Sequence, residues 1–80
     1  MRPKALLRRI RADRHNVRFS DFLRLARALG FRFERQEGSH CTYKHPCGAV
    51  LNLQPRVGEA KPYQIEYLLE AVDAFGLSLR

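Results

Sequence analysis

Five side chains between positions 39 and 47 carry the most chemical capability in this chain: Ser39, His40, Cys41, His45 and Cys47. Imidazole moves protons near neutral pH, a thiolate attacks or binds metal, and a hydroxyl donates hydrogen bonds. A zinc site fails on spacing. Five residues separate Cys41 from Cys47, and His40 and His45 interleave with them instead of forming a second pair of ligands. No metal and no cofactor is expected. The opening stretch, MRPKALLRRIRADR, is broken by charge every few residues and has no signal-peptide core. The expectation is therefore a cytoplasmic chain with reduced, structural cysteines.

Which of these groups can act together depends on the elements beneath them. Phe31-Arg32-Phe33-Glu34-Arg35 alternates apolar and polar with strand period, Gly38-Ser39 is a turn, and His40 to His45 reads as a second strand. Pro46-Cys47-Gly48 turns the chain again into a third strand, Ala49 to Gln54. Strand parity then separates the groups. His40, Thr42 and Lys44 share one face, with Cys41, Tyr43 and His45 opposite. On the third strand Ala49, Leu51 and Leu53 face the core, which leaves Asn52 and Gln54 beside His40 on an open polar surface. A strand-end histidine among hydrogen-bonding and cationic groups suits contact with RNA. Lys44, four residues along the same face, lies about 13 Å from His40 by strand rise, which suits it to a neighbouring phosphate. Gly38 lets a backbone approach closely and Ser39 can donate a hydrogen bond. His45 has the wrong parity and precedes Pro46, so a structural role is expected, and His15 reads as solvent-exposed. Tyr43, Tyr63 and Tyr67 have rings able to stack on bases, but at these spacings core or helix-packing roles are commoner.

Helices surround this segment. Residues 4–14 carry Leu6, Leu7 and Ile10 on one side with arginines elsewhere, a short amphipathic helix. Ser20 is placed to cap a second helix bearing Phe22, Leu25, Ala26 and Leu29, with Gly30 as its stop. Pro62 opens a third, with Ile65, Leu68, Leu69, Val72 and Phe75 as the buried stripe and Glu66, Glu70 and Asp73 toward water. The order α-α-β-β-β-α predicts an α+β domain with a three-stranded antiparallel sheet and helices on one face. Eighty residues make one domain, 1–80, divided here into an N-terminal helical extension (1–19) and a core (20–80). No apolar run approaches the length of a membrane span.

The formal charge is +7, unevenly spread: residues 1–35 hold eleven Lys and Arg against three acids, residues 36–80 four against five. A polyanion, and nucleic acid first among them, is the natural partner. The arginines at 8, 9, 11, 14, 24 and 27 read as a solvated basic face, part of which can follow phosphates.

Gly30-Phe31 closing a helix, Gly38-Ser39-His40, His45-Pro46, Asn52-Leu53-Gln54-Pro55 and Ala60-Lys61-Pro62-Tyr63-Gln64-Ile65 together resemble the HicA toxin family, in a branch with a short extra N-terminal helix. The resemblance runs from about Lys4 to Leu79. It implies a fold like the double-stranded-RNA-binding domain, metal-independent endonuclease action on mRNA, and a cognate HicB-like antitoxin as hetero-oligomeric partner. The family's catalytic histidine falls on His40, and Gly38, Ser39, Lys44 and Lys61 are the expected RNA contacts. Cys41 stands where the family often has a histidine or basic residue, and the aromatic Tyr43 is shifted by one. The competing readings are a non-catalytic RNA-binding module using the same face, and an interaction domain whose basic helices dock an acidic partner.

Overall fold

Pro3 sits at the first position of helix α1 (Pro3–Ala12), where its missing N–H costs nothing. Leu6 and Ile10, one turn apart, are buried, Leu7 packs partly buried against the same core, and Lys4, Arg8, Arg9 and Arg11 supply the polar side. This computed structural model describes residues 2–55 and 57–79. After α1 the chain is held by its own side chains. The Arg9 guanidinium donates to the carbonyls of His15 (3.2 Å) and Asn16 (2.8 Å), while Asp13 accepts from the backbone and ring nitrogens of His15.

Helix α2 (Phe19–Ala28) begins at Arg18, and Ser20 does not cap it. The loop ahead of α3 supplies the reason. Arg18 is extended and bridges Glu59, Phe19 N–H donates to Gly58 O at 2.8 Å, and Ala60 N–H donates to Val17 O at 2.7 Å. The free amide at the helix start is thus satisfied by backbone, and Ser20 falls inside the first turn. Gly30, at φ 109°, ends the helical segment in a conformation that suits glycine.

Three strands follow: β1 (Arg32–Glu37), β2 (His40–Lys44) and β3 (Val50–Leu53), antiparallel throughout in the order β1-β2-β3. Helix α3 (Pro62–Phe75) then packs against β3. Its start is tied by a reciprocal pair, in which Gln64 N–H donates to Lys61 O and Lys61 N–H donates to Gln64 Oε1. Gly76 ends it in the left-handed region, and Leu77 N–H returns to Val72 O, the closure of a Schellman motif.

One core joins all of this. Leu6, Ile10, Phe22, Leu25, Leu29 and Phe31 meet Cys41, Tyr43, Leu51 and Leu53 from the inner sheet face and Ile65, Leu68, Leu69 and Val72 from α3. The expected element order and single helix-covered sheet face are observed. Two details of α3 differ. Phe75 is half exposed, because the chain reverses after Gly76 and packs Leu77 against the core instead. Glu66 and Asp73, expected in water, meet α1 and its continuation: Asp73 takes a forked contact from Arg11 (3.0 and 3.5 Å) and Glu66 pairs with Arg14. Among the described residues no helix is long and apolar enough to cross a membrane.

Candidate active site

The face of the sheet turned away from the helices is laid out by register. Strand β2 alternates as parity requires, with Cys41 and Tyr43 buried and His40 and Lys44 exposed. Strand β3 does the same, with Leu51 and Leu53 inside and Val50 and Asn52 outside. Strand β1 does not keep a single period. Phe33 pairs with Tyr43, yet Arg35, two residues on, pairs with Thr42, so Glu34 is an inserted bulge residue. Phe33 stays on the core side and meets Tyr43 edge-on, ring centroids 5.7 Å apart. Beyond the bulge Arg35 and Glu37 swing to the open face, whereas strict alternation would send Arg35 to the side of Phe33.

The open face therefore consists of cross-strand rows about 4.8 Å wide per strand and about 6.6 Å apart. Glu37 lies across from His40, and continuing the Cys41–Leu53 register by one step sets Gln54 on the other flank of His40. The next row is Arg35, Thr42 and Asn52, in which the Thr42 hydroxyl donates to Asn52 Oδ1 at 3.2 Å. In the third row are Lys44 and Val50, with Arg32 at the β1 position. Arg32 turns its guanidinium back to the carbonyls of Arg27 and Phe31. Two ion pairs run along this surface, Arg35 with Glu37 at 3.0 Å and Lys44 with Glu34 at 3.1 Å.

His40 projects from the end of a two-residue hairpin. Gly38 has φ 60° while Ser39 stays at negative φ, the pattern of a type II′ turn. Space beside Gly38 is open, so the backbone angle alone demands glycine there. The turn is braced from both sides: Gln36 Nε2 donates to Gly38 O at 2.9 Å, and Gln54 Nε2 reaches Ser39 Oγ at 3.4 Å. Both braces leave the His40 ring exposed to solvent.

A family model for the HicA toxin of bacterial toxin-antitoxin systems matches residues 19–73. The chain belongs to the HicA toxin family. No curated protein and no solved structure matches it. The matched span starts at the first residue of α2 and covers the sheet and most of α3, leaving α1 outside.

Within that span the expected residues separate into two groups. Gly38, Ser39 and His40 form one turn, and Lys44 lies two rows away on the same face, held by Glu34. Lys61 is elsewhere. It sits before α3, on the rim of a cleft shared with Gln54, Pro55, Tyr63 and Gln64. Gln54 links the two groups through its bond to Ser39.

The other chemical candidates are accounted for by structure. His45 Nε2 lies 2.9 Å from Leu29 O, and Nδ1 accepts Cys47 N–H at 3.0 Å, an arrangement that assigns the ring proton to Nε2. The ring also meets Phe31 edge-on at 5.4 Å. Cys41 is buried, Cys47 is exposed, and both are free thiols. Among the described residues no three His, Cys, Asp or Glu side chains gather where a metal ion could be held. Sequence reasoning missed Arg35 and Glu37 as neighbours of His40. The available sign was the tight Gly38-Ser39 turn, which by itself forces Glu37 opposite His40.

Proposed function

We propose that this chain is the toxin of a toxin–antitoxin pair and cleaves mRNA as a metal-independent endoribonuclease. The observation that carries the reading is His40, exposed at the head of β2 on an open polar sheet face in a HicA-family chain. RNA supplies its own nucleophile. His40 takes the proton of a 2′-hydroxyl as that oxygen attacks the adjacent phosphorus, the bond to the 5′ oxygen breaks, and the leaving oxygen takes a proton from water. The products are a 2′,3′-cyclic phosphate and a free 5′-hydroxyl.

Charge builds on the phosphoryl oxygens during this step, and fixed cations nearby stabilise it. Arg35 is one row from His40 and Lys44 two rows, so Arg35 attends the reacting phosphate and Lys44 the next one along. Gly38 and Ser39 bring backbone and hydroxyl close to the RNA, and Lys61 holds a flanking phosphate. Exposed Arg8, Arg24 and Arg27 add to the field that attracts the strand. A HicB-like antitoxin forms the hetero-oligomer that silences the enzyme in the cytoplasm.

The test is incubation of purified protein with a defined mRNA in EDTA, repeated with His40→Ala. Cleavage by the wild type, and cleavage slowed by roughly 100-fold or more in the variant, is expected. Equal cleavage by both removes His40 from the mechanism. A folded wild type that binds RNA and never cuts it is instead an RNA-binding module.

A further inference from the structure

The polar sheet face does not stop at His40. Strand β3 is an edge of the sheet, and α3 runs beside it. Asn52 lies on β3 and Gln54 one residue past its end, two residues apart, about 6.6 Å in extended chain. Tyr63 and Tyr67 are one turn apart on α3, about 6 Å by helical rise. Those two periods nearly coincide. Gln54 and Tyr63 consequently line one cleft, together with Pro55, Lys61 and Gln64, while Asn52 and Tyr67 line the next, with Val50 and Leu51. The same pairing of carboxamide and phenol occurs twice in succession along one edge.

Both tyrosines are about half exposed (51% and 55%). Their rings meet edge-on with centroids 5.9 Å apart. Among the described residues no carboxylate lines either cleft. We propose that this groove is a subsite for the unpaired nucleotides next to the bond that is cut, a proposal that rests on the ribonuclease reading above. One base stacks on Tyr63 and its neighbour on Tyr67, the mode by which single-stranded RNA is held on exposed aromatic rings. The amides of Gln54 and Asn52 offer a donor and an acceptor to the base edges, and Lys61 meets a phosphate at the far end. Continuity with the reaction centre is direct. Gln54 follows Leu53, the partner of Cys41, and holds the Ser39 hydroxyl next to His40, so a strand whose scissile phosphate lies at His40 passes straight into the first cleft, of about 200 Å³.

The probe is a fluorescein-labelled single-stranded oligoribonucleotide of mixed sequence, bound to the full chain carrying His40→Ala so that it stays intact. Adding Tyr63→Ala or Tyr67→Ala is expected to weaken binding roughly 5- to 150-fold each, the range for loss of one stacked base. Tyr63→Phe should hold within about twofold, since stacking needs the ring and not the hydroxyl. Melting curves confirm that each variant is folded. Alanine variants that bind as tightly as their parent overturn the proposal, as does a parent that binds no RNA at low salt. So does a tyrosine dependence found only with a protein ligand, which would make the free edge of β3 a protein-docking strand. Cleavage is read separately on chains with His40 intact. Tyrosine-dependent binding without wild-type cleavage sinks the ribonuclease reading and keeps the groove. Wild-type cleavage with no tyrosine effect does the reverse.

Discussion

The two ends of β2 carry the same side chain in opposite situations. At the head, His40 follows a glycine turn, faces solvent and lies between Glu37 and Gln54. Just past the tail, His45 is folded under the sheet with one ring nitrogen on Leu29 O and the other on Cys47 N–H. Five positions apart, they differ by an odd number of residues, so a regular strand must aim them at opposite faces. Chemistry needs a ring with a free nitrogen; packing needs one with both nitrogens satisfied. The proposed chemistry falls to exposed His40 and packing to His45, while a third histidine, His15, makes a local contact with Asp13 outside the sheet.

That contrast is breakable, and the largest effect belongs to the head of the strand. His40→Ala should lower the cleavage rate by roughly 10²- to 10⁴-fold, the usual contribution of a general base, with an unchanged melting curve. Arg35→Ala should follow, slowing single-turnover cleavage on the order of 10²-fold or less as one charge-stabilising donor is lost. A wild-type rate in that variant would hand the phosphate to Lys44. His45→Ala should show the reverse profile. It orphans a carbonyl and an amide at about 1–3 kcal/mol, so thermal unfolding shifts down by roughly 4–24 °C while folded protein still cuts RNA. Gly38→Ala comes next, at about 1–2 kcal/mol for a β-carbon at positive φ, and cleavage should fall with it because the turn aims His40. Denaturant melts and initial rates measure both.

The smallest effect concerns the third histidine. Asp13 has its carboxyl held below the ordinary value of 3.8, first by the hydrogen bond from the His15 ring, then by the His15 amide, with minor help from the His15 and Arg9 charges. A carboxyl with a depressed native pKa adds stability that is fully present above the unfolded value and lost as pH falls through the native one. Asp13→Asn should therefore flatten the acid limb of the stability profile below that value, leaving neutral-pH cleavage untouched. A steep acid limb persisting in the variant would place the titration elsewhere.

Charge shows where reading the chain linearly falls short. The basic N-terminal segment suggests a surface for polyanions, yet Arg9 closes the connector, and Arg11 and Arg14 meet Asp73 and Glu66 of α3. Those partners are more than fifty residues away, so no local pattern announces them. Exposed pairs of this kind are each worth about 0–1 kcal/mol, and their consequence is mainly to direct α1 along α3 and reduce the free charge on that side. Serine at position 20 teaches the same lesson from hydrogen bonding. It has the residue type of a cap, but the helix starts earlier, and the Phe22 N–H that a Ser20 cap would hold goes to Arg18 O.

What the amino-acid order determined by itself was everything governed by short-range periodicity: six elements, the faces of β2 and β3, the Gly38-Ser39 turn, and the separation of His40 from His45. Backbone geometry makes those choices within a few residues, so they are written in the chain. Tertiary structure decided what depends on partners from distant segments. The bulge at Glu34 arises from pairing with β2 and keeps Phe33 beside Tyr43 on the core side although Arg35, two residues on, faces out; the docking of α3 beside β3 sets Tyr63 next to Gln54. A strand's register and a helix's azimuth are fixed only when a second element packs against them, and the surroundings of His40 come into being at that step.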